Sequence, residues 1–344
     1  MISLVSTVLN DREGTALFFK QMAAQTRLPD EIVIVDGGSK DGTWELLLEE
    51  AHQTRPWRLV ASQERGCNVA RGRNIAIAKA AYEIIASTDI GCEWDKEWLE
   101  ELVEPLCVDP AIEIVVGSWG VKEAELSGPW AKTEYALKSH ALQTSSTPQT
   151  QATSRSIAYR RNLWDQLGGY PEDLTLSADD TVFDMFIKGA GAYAAAAPAI
   201  RCYWHRHESL RAFLKEQYRY FYGNGEANIT GRHFVLVGAR LGLEIAGLLV
   251  GIPLLAINST RWWGIAALSV SLLSISLRFR RWIPAARRLS AMAVDYPLAR
   301  VALFETLARI HSLRGWFYGW LHGAKCCRDC RARLAKPHDG KLPA

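Results

Sequence analysis

Carboxylates stand at the points of this sequence where a ligand would bind. Asp36 ends the apolar run EIVIVD and precedes the glycine-rich turn GGSKDG, and Asp89 ends the run EIIASTD. Asp179 and Asp180 open the helical pattern DDTVFDMF. A carboxylate accepts hydrogen bonds from a base N–H or a ribose hydroxyl, binds a divalent cation, or takes a proton from a hydroxyl. The alternative in each case is a plain turn or a helix cap.

The segment that follows Asp89 predicts a divalent-cation site that also binds substrate phosphates. Glu93 and Asp95 come shortly after it, and His205 in YWHRHES is a further candidate ligand. Mg²⁺ and Mn²⁺ prefer carboxylate oxygens together with phosphates. Gly91 stands where a second carboxylate would be most useful, and it supplies no ligand.

Basic residues at two places favour a bound anion. Arg71 and Arg73 lie in VARGRNIAIAKA, at the start of a helical pattern whose free N–H groups would attract phosphate. Spacing does not choose between the two arginines, and a solvated basic face is the alternative. Gln217 and Arg219 in KEQYRYFYGNG are candidates for a phosphate or acceptor clamp, with a juxtamembrane basic helix as the alternative.

The elements that must position these residues alternate between strands and helices over residues 1–200. The strand patterns are ISLVSTVL, EIVIVD, WRLVAS, EIIASTD and EIVVGSWG, and the helical patterns are TALFFKQMAAQT, TWELLLEEAHQT, VARGRNIAIAKA and KEWLEELVEPLC. This succession predicts an α/β fold, with a mainly parallel sheet and helices on both faces. In such open sheets, ligands bind beyond the carboxyl ends of the strands, where Asp36 and Asp89 lie.

Long apolar runs follow in the last third of the chain, at residues 234–257 and 262–277. We expect a membrane hairpin over residues 231–280, because a spanning helix needs about 20 apolar residues and because tryptophan and arginine bracket the runs. Arg240 and Glu244 interrupt the first run, but they lie four residues apart on one helix face, where they could pair. Buried helices of a soluble domain are the alternative.

Charge predicts the orientation of the hairpin. The segment RFRRWIPAARR after the second run is strongly basic, which favours the cytoplasmic side. A hairpin returns the chain to its starting side, so residues 1–230 would also face the cytoplasm. Residues 281–344 mix arginine with leucine, phenylalanine and tryptophan, and they predict interfacial amphipathic helices followed by a basic, cysteine-containing tail.

Composition limits the classes of partner. The net charge of +3 over 344 residues is too small to predict nucleic-acid binding. Seven cysteines scattered through an α/β pattern indicate reduced thiols in a cytosolic domain. The tail cysteines Cys326, Cys327 and Cys330, with His322 and His338 nearby, offer a possible structural metal site. A solvated basic tail is favoured, because a closed zinc site needs four well-placed ligands.

Taken in chain order, the motifs resemble those of family 2 glycosyltransferases of the GT-A fold, over about residues 1–230. VDGGSKDGT resembles the nucleotide-binding strand and turn of that family. ARGRNIAIAKA resembles its Ala-Arg-Asn helix and places the arginine on Arg73 and the asparagine on Asn74. TDIGC stands where the family carries Asp-x-Asp, and SADDTVF where it carries Glu-Asp, which places the catalytic base on Asp180. EQYRYFYGNG resembles the basic and aromatic stretch near the membrane in processive and lipid-linked members.

The resemblance implies a nucleotide-sugar site. Asp36 would contact the base or ribose, with Thr7 and Asn10 lining the same pocket. Asp89, through Mg²⁺ or Mn²⁺, and Arg73 would neutralise the diphosphate leaving group.

The resemblance also implies the chemistry. Asp180, with Asp179 beside it, would take the proton from an acceptor hydroxyl that attacks the sugar C1 and inverts it. Two departures stand out: Gly37 replaces the second aspartate of the nucleotide-binding pair, and Gly91 replaces the second metal-binding aspartate. Glu93, Asp95 or His205 would then help Asp89 to hold the metal.

The resulting expectation is an inverting glycosyltransferase at the cytoplasmic face of the inner membrane. It would add single sugars to a lipid-linked or surface-polysaccharide acceptor in cell-envelope biosynthesis, because two short spans do not build a polymer channel. One alternative is a non-catalytic membrane scaffold of the same fold, which the Gly91 departure favours. The other is a sugar-phosphate nucleotidyltransferase, to whose phosphate loop STVLNDREG is a poor match.

Overall fold

The computed structural model describes residues 1–144 and 146–336, with only the backbone described at 139–144, 198 and 200. The described chain divides into two compact units. We call them the sheet unit and the helical unit. The sheet unit comprises Met1–Glu125, His140–Arg206 and the C-terminal segment that starts at Gly323, and the helical unit comprises Leu126–Ser139 and His207–His322.

The strands of the sheet unit form one sheet. They are β1 (Ile2–Val8), β2 (Glu31–Asp36), β3 (Arg58–Gln63), β4 (Ile84–Ser87), β5 (Cys92–Trp94), β6 (Ile114–Gly120), β7 (Gln143–Thr144), β8 (Ile157–Arg160) and β9 (Ala194–Trp204). Their order is β3-β2-β1-β4-β8-β6-β9-β5, with β7 beside β6. The sheet is parallel from β3 to β4 and becomes mixed where β8 pairs antiparallel with both β4 and β6. The predicted α/β class is confirmed, and its parallel character is strongest in the first four strands.

Helices connect the strands and continue beyond them. In chain order they are α1 (Arg12–Met22), α2 (Thr43–Ala51), α3 (Val69–Lys79), α4 (Trp98–Val108), α5 (Gly128–Leu142), α6 (Arg161–Leu167), α7 (Asp179–Gly189), α8 (Leu210–Glu226), α9 (Gly231–Leu255), α10 (Arg261–Ala291), α11 (Pro297–Cys326) and α12 (Arg328–Ala335). The sequence patterns predicted the first four helices with ends that differ by a few residues.

The core of the sheet unit follows from its apolar strands. β2 is buried along its whole length and β1 along nearly all of it, as expected for strands covered on both faces. Phe18 of α1 packs edge-on against Trp94 of β5, with ring centroids 5.5 Å apart. This contact packs α1 against the sheet whose strand ends carry the site residues.

Strand register brings the candidate site residues to one edge of the sheet. Val8 pairs with Asp36, and Asp36 pairs with Gln63 of the next strand. β4 ends at Ser87, which pairs with Val5, and Asp89 follows two residues later. Parallel strands therefore end together where ligands of such sheets bind.

The helical unit has its own core of aromatic and small side chains. Phe213 of α8 stacks on Phe304 of α11, with ring centroids 4.1 Å apart. Trp282 of α10 packs in a cluster with Ala136 of α5 and Val301 of α11. α5, α8, α10 and α11 thus contribute side chains to the interior of this unit.

Small residues lie where α9 and α10 meet. A Cβ atom added to Gly251 would lie 2.8 Å from Cγ of Leu268, and one added to Gly264 would lie 2.8 Å from the carbonyl oxygen of Gly251. These separations are too short for any side chain, so the two backbones approach closely, as small residues permit between membrane helices.

A polar cluster crosses the same contact. Glu244 accepts hydrogen bonds from Arg240 Nε at 3.2 Å and from Ser274 Oγ at 2.8 Å, and it also pairs with Arg278. The predicted pairing of Arg240 with Glu244 is therefore confirmed. We call these four residues the hairpin cluster.

Among the described residues, the helices long and apolar enough to cross a membrane are Gly231–Leu255 and the segment Asn258–Ala291. Only 11% and 17% of their most apolar windows are buried inside the protein. Large apolar side chains on these helices are exposed, such as Leu249 at 71% and Trp262 at 78%.

Candidate active site

Asp36 lies at the end of β2, and its two carboxylate oxygens differ. Oδ1 accepts hydrogen bonds from the N–H groups of Gly38 and Ser39 at 2.8 and 2.9 Å, and from Nε2 of Gln63 at 3.0 Å. Oδ2 is buried and has no hydrogen-bond partner within the described chain. A buried acceptor without a donor costs free energy of folding. The turn and Gln63 supply donors to Oδ1, and a bound ligand could supply one to Oδ2.

The turn after β2 is joined to the turn after β1. Asn10 Oδ1 accepts from the N–H of Lys40 at 2.8 Å, and the Asn10 N–H donates to Ser39 Oγ at 2.7 Å. Thr7, near the end of β1, packs against Gly72 of α3, where an added Cβ would lie 2.8 Å from the Thr7 methyl carbon. Thr7 and Asn10 therefore lie at the same edge of the sheet as Asp36. Asp36 does not cap α2, whose N-cap residue is Gly42.

Arg73 of α3 is the centre of an ion-pair cluster beyond the strand ends. Its Nη2 donates to Asp89 Oδ1 at 2.6 Å, and its Nη1 pairs with Asp179. The Arg73 side chain is 6% exposed, and its guanidinium carbon lies 5.6 Å from the centre of the Tyr170 ring. Groups from α3, the end of β4 and the start of α7 thus converge. We call Arg73, Asp89, Asp179 and Asp180 the site cluster.

Burial and ion pairing set the protonation of this cluster. Burial would lower the pKa of Arg73, but Asp179 and Asp89 outweigh it and raise that pKa. Burial would raise the pKa of Asp89, but Arg73 and Arg155 outweigh it and hold that pKa low. Burial, reinforced by the charge of Asp179, raises the pKa of Asp180 to about 6. A carboxylate whose pKa lies near neutral pH is suited to accept a proton.

The adjacent carboxylates of α7 have different surroundings. Asp179 is 8% exposed and is held by Arg73. Asp180 Oδ1 accepts from the N–H of Thr181 at 2.7 Å. The N-cap of α7 is Ala178, whose side chain makes no capping bond. Neither aspartate therefore serves as the N-cap residue, and Asp180 is the carboxylate of the pair that no arginine holds by a direct ion pair within the described chain.

Two of the candidate cation ligands lie together beside β5 and β9. Glu93 Oε1 lies 3.0 Å from His205 Nε2, and Glu125 completes a group whose ligand atoms lie within 4.8 Å of one another. Lys122 Nζ contacts Glu93 at 2.6 Å and Glu125 at 3.1 Å. A lysine of the chain therefore already pairs with both carboxylates.

The other two candidate ligands have separate partners. Asp95 accepts from Tyr203 OH at 3.1 Å and lies 3.6 Å from Arg201. Asp89 belongs to the site cluster and exposes 36% of its side chain. The structure thus distributes the four predicted metal ligands over three sets of contacts and does not gather them around one point.

The backbone conformation at position 91 explains why a glycine, and not a second metal-binding aspartate, stands there. Gly91 has φ of 97°, a conformation that residues with a side chain rarely adopt. An aspartate there would be strained, and its Cβ would lie 3.4 Å from Oδ2 of Asp11. A second carboxylate would require a different backbone at this turn.

The remaining predicted anion ligands lie apart from the site cluster or in the other unit. Arg71 is exposed and pairs with Glu64 at 2.9 Å and Glu172 at 3.2 Å. Of the two arginines that spacing left open, Arg73 is therefore the one in the cluster. Gln217, buried, and Arg219, exposed, lie on α8 of the helical unit.

Arg155 belongs to the site, although no sequence pattern singled it out. Its Nε lies 3.9 Å from Asp89 Oδ2, and the side chain is 13% exposed. The guanidinium carbon lies 4.1 Å from the ring centre of Trp204 and 4.9 Å from that of Trp119. Indole faces hold an arginine in place while leaving its charge intact. The only signal in the sequence was a single arginine before a strand, which is too common to select.

The sequence is similar to those of known proteins. The model of glycosyl transferase family 2 matches residues 3–167. The glycosyltransferase AglE of Haloferax volcanii is 23% identical over 232 residues, which is 66% of this chain and 73% of AglE. The O-antigen chain rhamnosyltransferase RfbN of Salmonella typhimurium is 28% identical over 200 residues, which is 56% of this chain and 62% of RfbN.

A solved structure shares the fold. The mannosyltransferase PcManGT of Pyrobaculum calidifontis, determined in complex with GDP-Man and Mn²⁺, matches with a TM-score of 0.56 and 18% identity, over 92% of this chain and 87% of that one. At this identity the match establishes the fold alone, and the predicted GT-A fold is confirmed. The chain is therefore similar to glycosyl transferase family 2 over residues 3–167 and has the GT-A fold.

Proposed function

We propose that the chain is an inverting glycosyltransferase that takes a hexosyl group from a nucleotide-diphospho-sugar. Its acceptor would be a lipid-linked or surface-polysaccharide glycan at the cytoplasmic face of the inner membrane. The observation that carries the proposal is the site cluster, in which Asp180, with a raised pKa, stands beside the Arg73 ion pairs. This is the combination of proton acceptor and positive charge that glycosyl transfer to a hydroxyl requires.

The donor nucleoside would bind at the strand-end edge. The buried Oδ2 of Asp36 lacks a donor, and a base N–H or ribose hydroxyl would supply one. Thr7 and Asn10 would line the same pocket. The similar proteins named above include a mannosyltransferase and a rhamnosyltransferase, and these names support a hexosyl donor without choosing the sugar.

The diphosphate would lie between this pocket and the site cluster. Arg73 would contribute fixed positive charge there, and Arg155, which contacts the indole rings of Trp119 and Trp204, would add a second guanidinium. Preorganised charge of this kind stabilises a leaving group without reorganisation during the reaction.

The residues fit a phosphate-bridging divalent cation better than a closed metal site. Mg²⁺ commonly needs only one or two carboxylates when substrate phosphates complete its coordination. Asp89 would be that carboxylate, because 36% of its side chain is exposed beside the site cluster even though Arg73 pairs with one of its oxygens. Gly91 adds no ligand, and Glu93 lies in a separate group with Lys122 and His205. When bound, Mg²⁺ or Mn²⁺ would supply additional charge neutralisation at the diphosphate.

Asp180 would act as the base. Ionised, it would take the proton of the acceptor hydroxyl as the oxygen forms a bond to the sugar C1 and the bond from C1 to the diphosphate oxygen breaks. A single displacement inverts the anomeric centre. Asp179 would keep its place against Arg73 and would raise the basicity of its neighbour.

The helical unit would hold the enzyme at the membrane. The low burial of the apolar helices favours a membrane hairpin over core helices of a soluble domain. The exposed arginines 280, 281, 287 and 288 follow the second apolar stretch and favour the cytoplasmic side for that end. Arg219, exposed on α8, would then lie near an acceptor phosphate at the membrane, whereas Gln217 is buried on the same helix.

The test is nucleotide release from detergent-solubilised protein. A panel of nucleotide-sugars is supplied with Mn²⁺ or with EDTA, and bacterial lipid extract is the acceptor source. We expect release from one donor, increased by the extract and absent in Asp180→Asn. No release from any donor with the extract present would reject the proposal and would favour a non-catalytic scaffold.

A further inference from the structure

The cysteine-containing tail belongs to the sheet unit, and two of its three cysteines are buried. Cys327 and Cys330 are fully buried, so the expectation of a solvated tail is wrong for these residues. His338, the other candidate metal partner, lies outside the described residues. The chain leaves the sheet unit after Arg206 and returns to it at Gly323. The returning segment forms α12 and packs against the region that precedes the proposed base.

The first turn of α12 is attached to Asp173. Cys327 Sγ donates to the carbonyl oxygen of Asp173 at 2.9 Å, and the Cys330 N–H donates to Asp173 Oδ2 at 3.1 Å. A carboxylate at the free N–H groups of a helix N-terminus is stabilised by hydrogen bonding and by the helix dipole. Both bonds fix the same residue of the loop between α6 and α7.

Arg333, near the end of α12, is attached to the start of that loop. Its Nη2 donates to the carbonyl oxygens of Leu167 and Gly169, each at 2.7 Å. The guanidinium carbon also lies 4.2 Å from the ring centre of Phe186 on α7. One side chain therefore links the end of α6, the loop and α7.

The other side of the loop is held by α3. Asn74 Oδ1 accepts from the Tyr170 N–H at 2.9 Å, and Asn74 Nδ2 donates to the Tyr170 carbonyl at 2.9 Å. Asn68 Nδ2 donates to the carbonyls of Glu172 and Leu174 at 2.7 and 2.6 Å. The loop is thus fixed between α3, which carries Arg73, and the C-terminal segment.

The loop ends at the residues proposed to react. Tyr170 stacks on Phe183 of α7, with ring centroids 4.1 Å apart, and its ring also faces Arg73. Ala178 ends the loop with φ of 73°, and Asp179 and Asp180 follow directly. A shift of the loop would therefore move both carboxylates relative to Arg73.

We propose that the segment Cys327–Arg333 is a C-terminal clasp that positions the loop 168–178 and, through it, the Asp179 and Asp180 carboxylates. Arg333 and Asp173 are positioning residues in this arrangement, since neither touches the site cluster. The inference rests on the proposed function for its kinetic consequence. That α12 holds the loop in place follows from the contacts of α12 and does not depend on the proposed function.

The test compares Arg333→Ala with Arg328→Ala in the full-length protein. Arg328 is exposed on the same helix, so its variant removes the same charge from α12 without the carbonyl contacts. We expect amide hydrogen exchange over residues 168–178 to accelerate in Arg333→Ala and to remain unchanged in the control. We expect kcat to fall by up to about 100-fold, as a small misplacement of a reacting group allows, with the donor KM unchanged.

A second variant protects the test against simple misfolding. Asp173→Asn keeps the size of the side chain but removes the charge at the α12 N-terminus, and we expect a smaller change in the same direction. Unchanged exchange and unchanged kcat in Arg333→Ala would overturn the clasp. Equal losses in kcat and in donor binding would also overturn it, because they would indicate a general loss of structure. If the wild-type protein transfers no sugar, the proposed function fails, and the exchange measurement still decides whether the clasp exists.

Discussion

The site cluster of the sheet unit and the hairpin cluster of the helical unit both combine arginine with carboxylate, and their compositions differ. The site cluster contains one arginine and three aspartates, of which Asp89 and Asp179 pair with Arg73, and Asp89 remains 36% exposed at its side chain. The hairpin cluster joins the single carboxylate of Glu244 to Arg240, Arg278 and Ser274, and Glu244 is only 4% exposed. The chemistry of the pairs is the same, but the balance of charge and the access of solvent are not.

This difference separates a reactive arrangement from a structural one. Burial, together with the charge of Asp179, leaves Asp180 with a raised pKa, and Asp89 remains partly open to a ligand. In the hairpin cluster the carboxylate is surrounded by donors from both helices. A buried carboxylate that accepts from both helices holds them together, and removing one partner is costly because the remaining charge loses its partner.

The largest effect on transfer is expected for Asp180→Asn. The amide cannot accept the acceptor proton, so we expect the rate of sugar transfer to fall by about 10²–10⁴-fold, the usual contribution of general base catalysis. Donor binding should remain, because Asp36 and its pocket are untouched. Steady-state transfer kinetics with the wild-type donor measure the loss. A rate within a few-fold of wild type would reject Asp180 as the base.

The second largest effect on transfer is expected for Arg73→Gln. It leaves Asp89 and Asp179 without their shared partner, and removal of one member of a buried pair costs about 3–5 kcal/mol. We expect a lower unfolding temperature of the sheet unit together with a loss of transfer. Circular dichroism melting and transfer kinetics would be measured on the same sample. Arg71→Gln, which removes an exposed arginine two positions away, is the matched control and should change neither by much.

The pH dependence should show the base directly. Burial and Asp179 raise the pKa of Asp180 to about 6, and a base works only when ionised. Transfer should therefore fall about tenfold for each pH unit below that value. Stability should move the other way: the folded protein binds this proton more tightly than the unfolded chain does, so the stabilisation is complete at low pH and is lost as pH rises through about 6. A transfer rate that stays flat down to pH 4 would contradict the assignment.

The smallest effect on transfer is expected for Glu244→Gln. It should lower the thermal stability of the detergent-solubilised protein, because Arg278 loses its charged partner. Transfer per folded molecule should stay near the wild-type value, since Glu244 belongs to the helical unit. Size-exclusion recovery after heating, combined with transfer assays, separates the two quantities. A large loss of transfer in folded protein would show that the clusters do not differ as described.

The sequence predicted the parts of the fold and site that local patterns determine. β2 has the predicted bounds, ending at Asp36, because a continuous apolar run followed by a glycine turn specifies a buried strand end. Arg240 and Glu244 pair because helix spacing alone places them on one face. Such features depend on neighbours along the chain.

The features that were missed depend on distant contacts. Arg155 reaches Asp89 only because β8 pairs antiparallel beside β4, and no periodicity before β8 indicated it. The contacts that bury Cys327 and Cys330 join them to Asp173, more than 150 positions away, so no local pattern predicts their burial. From the sequence, Gly91 is only the absence of a metal ligand. The structure shows that its backbone has a positive φ, which disfavours an aspartate at this position.

The central claim is that binding and chemistry reside on different carboxylates of one site. Nucleoside diphosphate binding by calorimetry and sugar transfer by product analysis, both measured on Asp36→Asn and Asp180→Asn, test it most directly. We predict that Asp36→Asn loses affinity for the nucleotide, whereas Asp180→Asn binds it normally and fails to transfer. Normal transfer by Asp180→Asn, or unchanged nucleotide affinity in Asp36→Asn, would contradict the account.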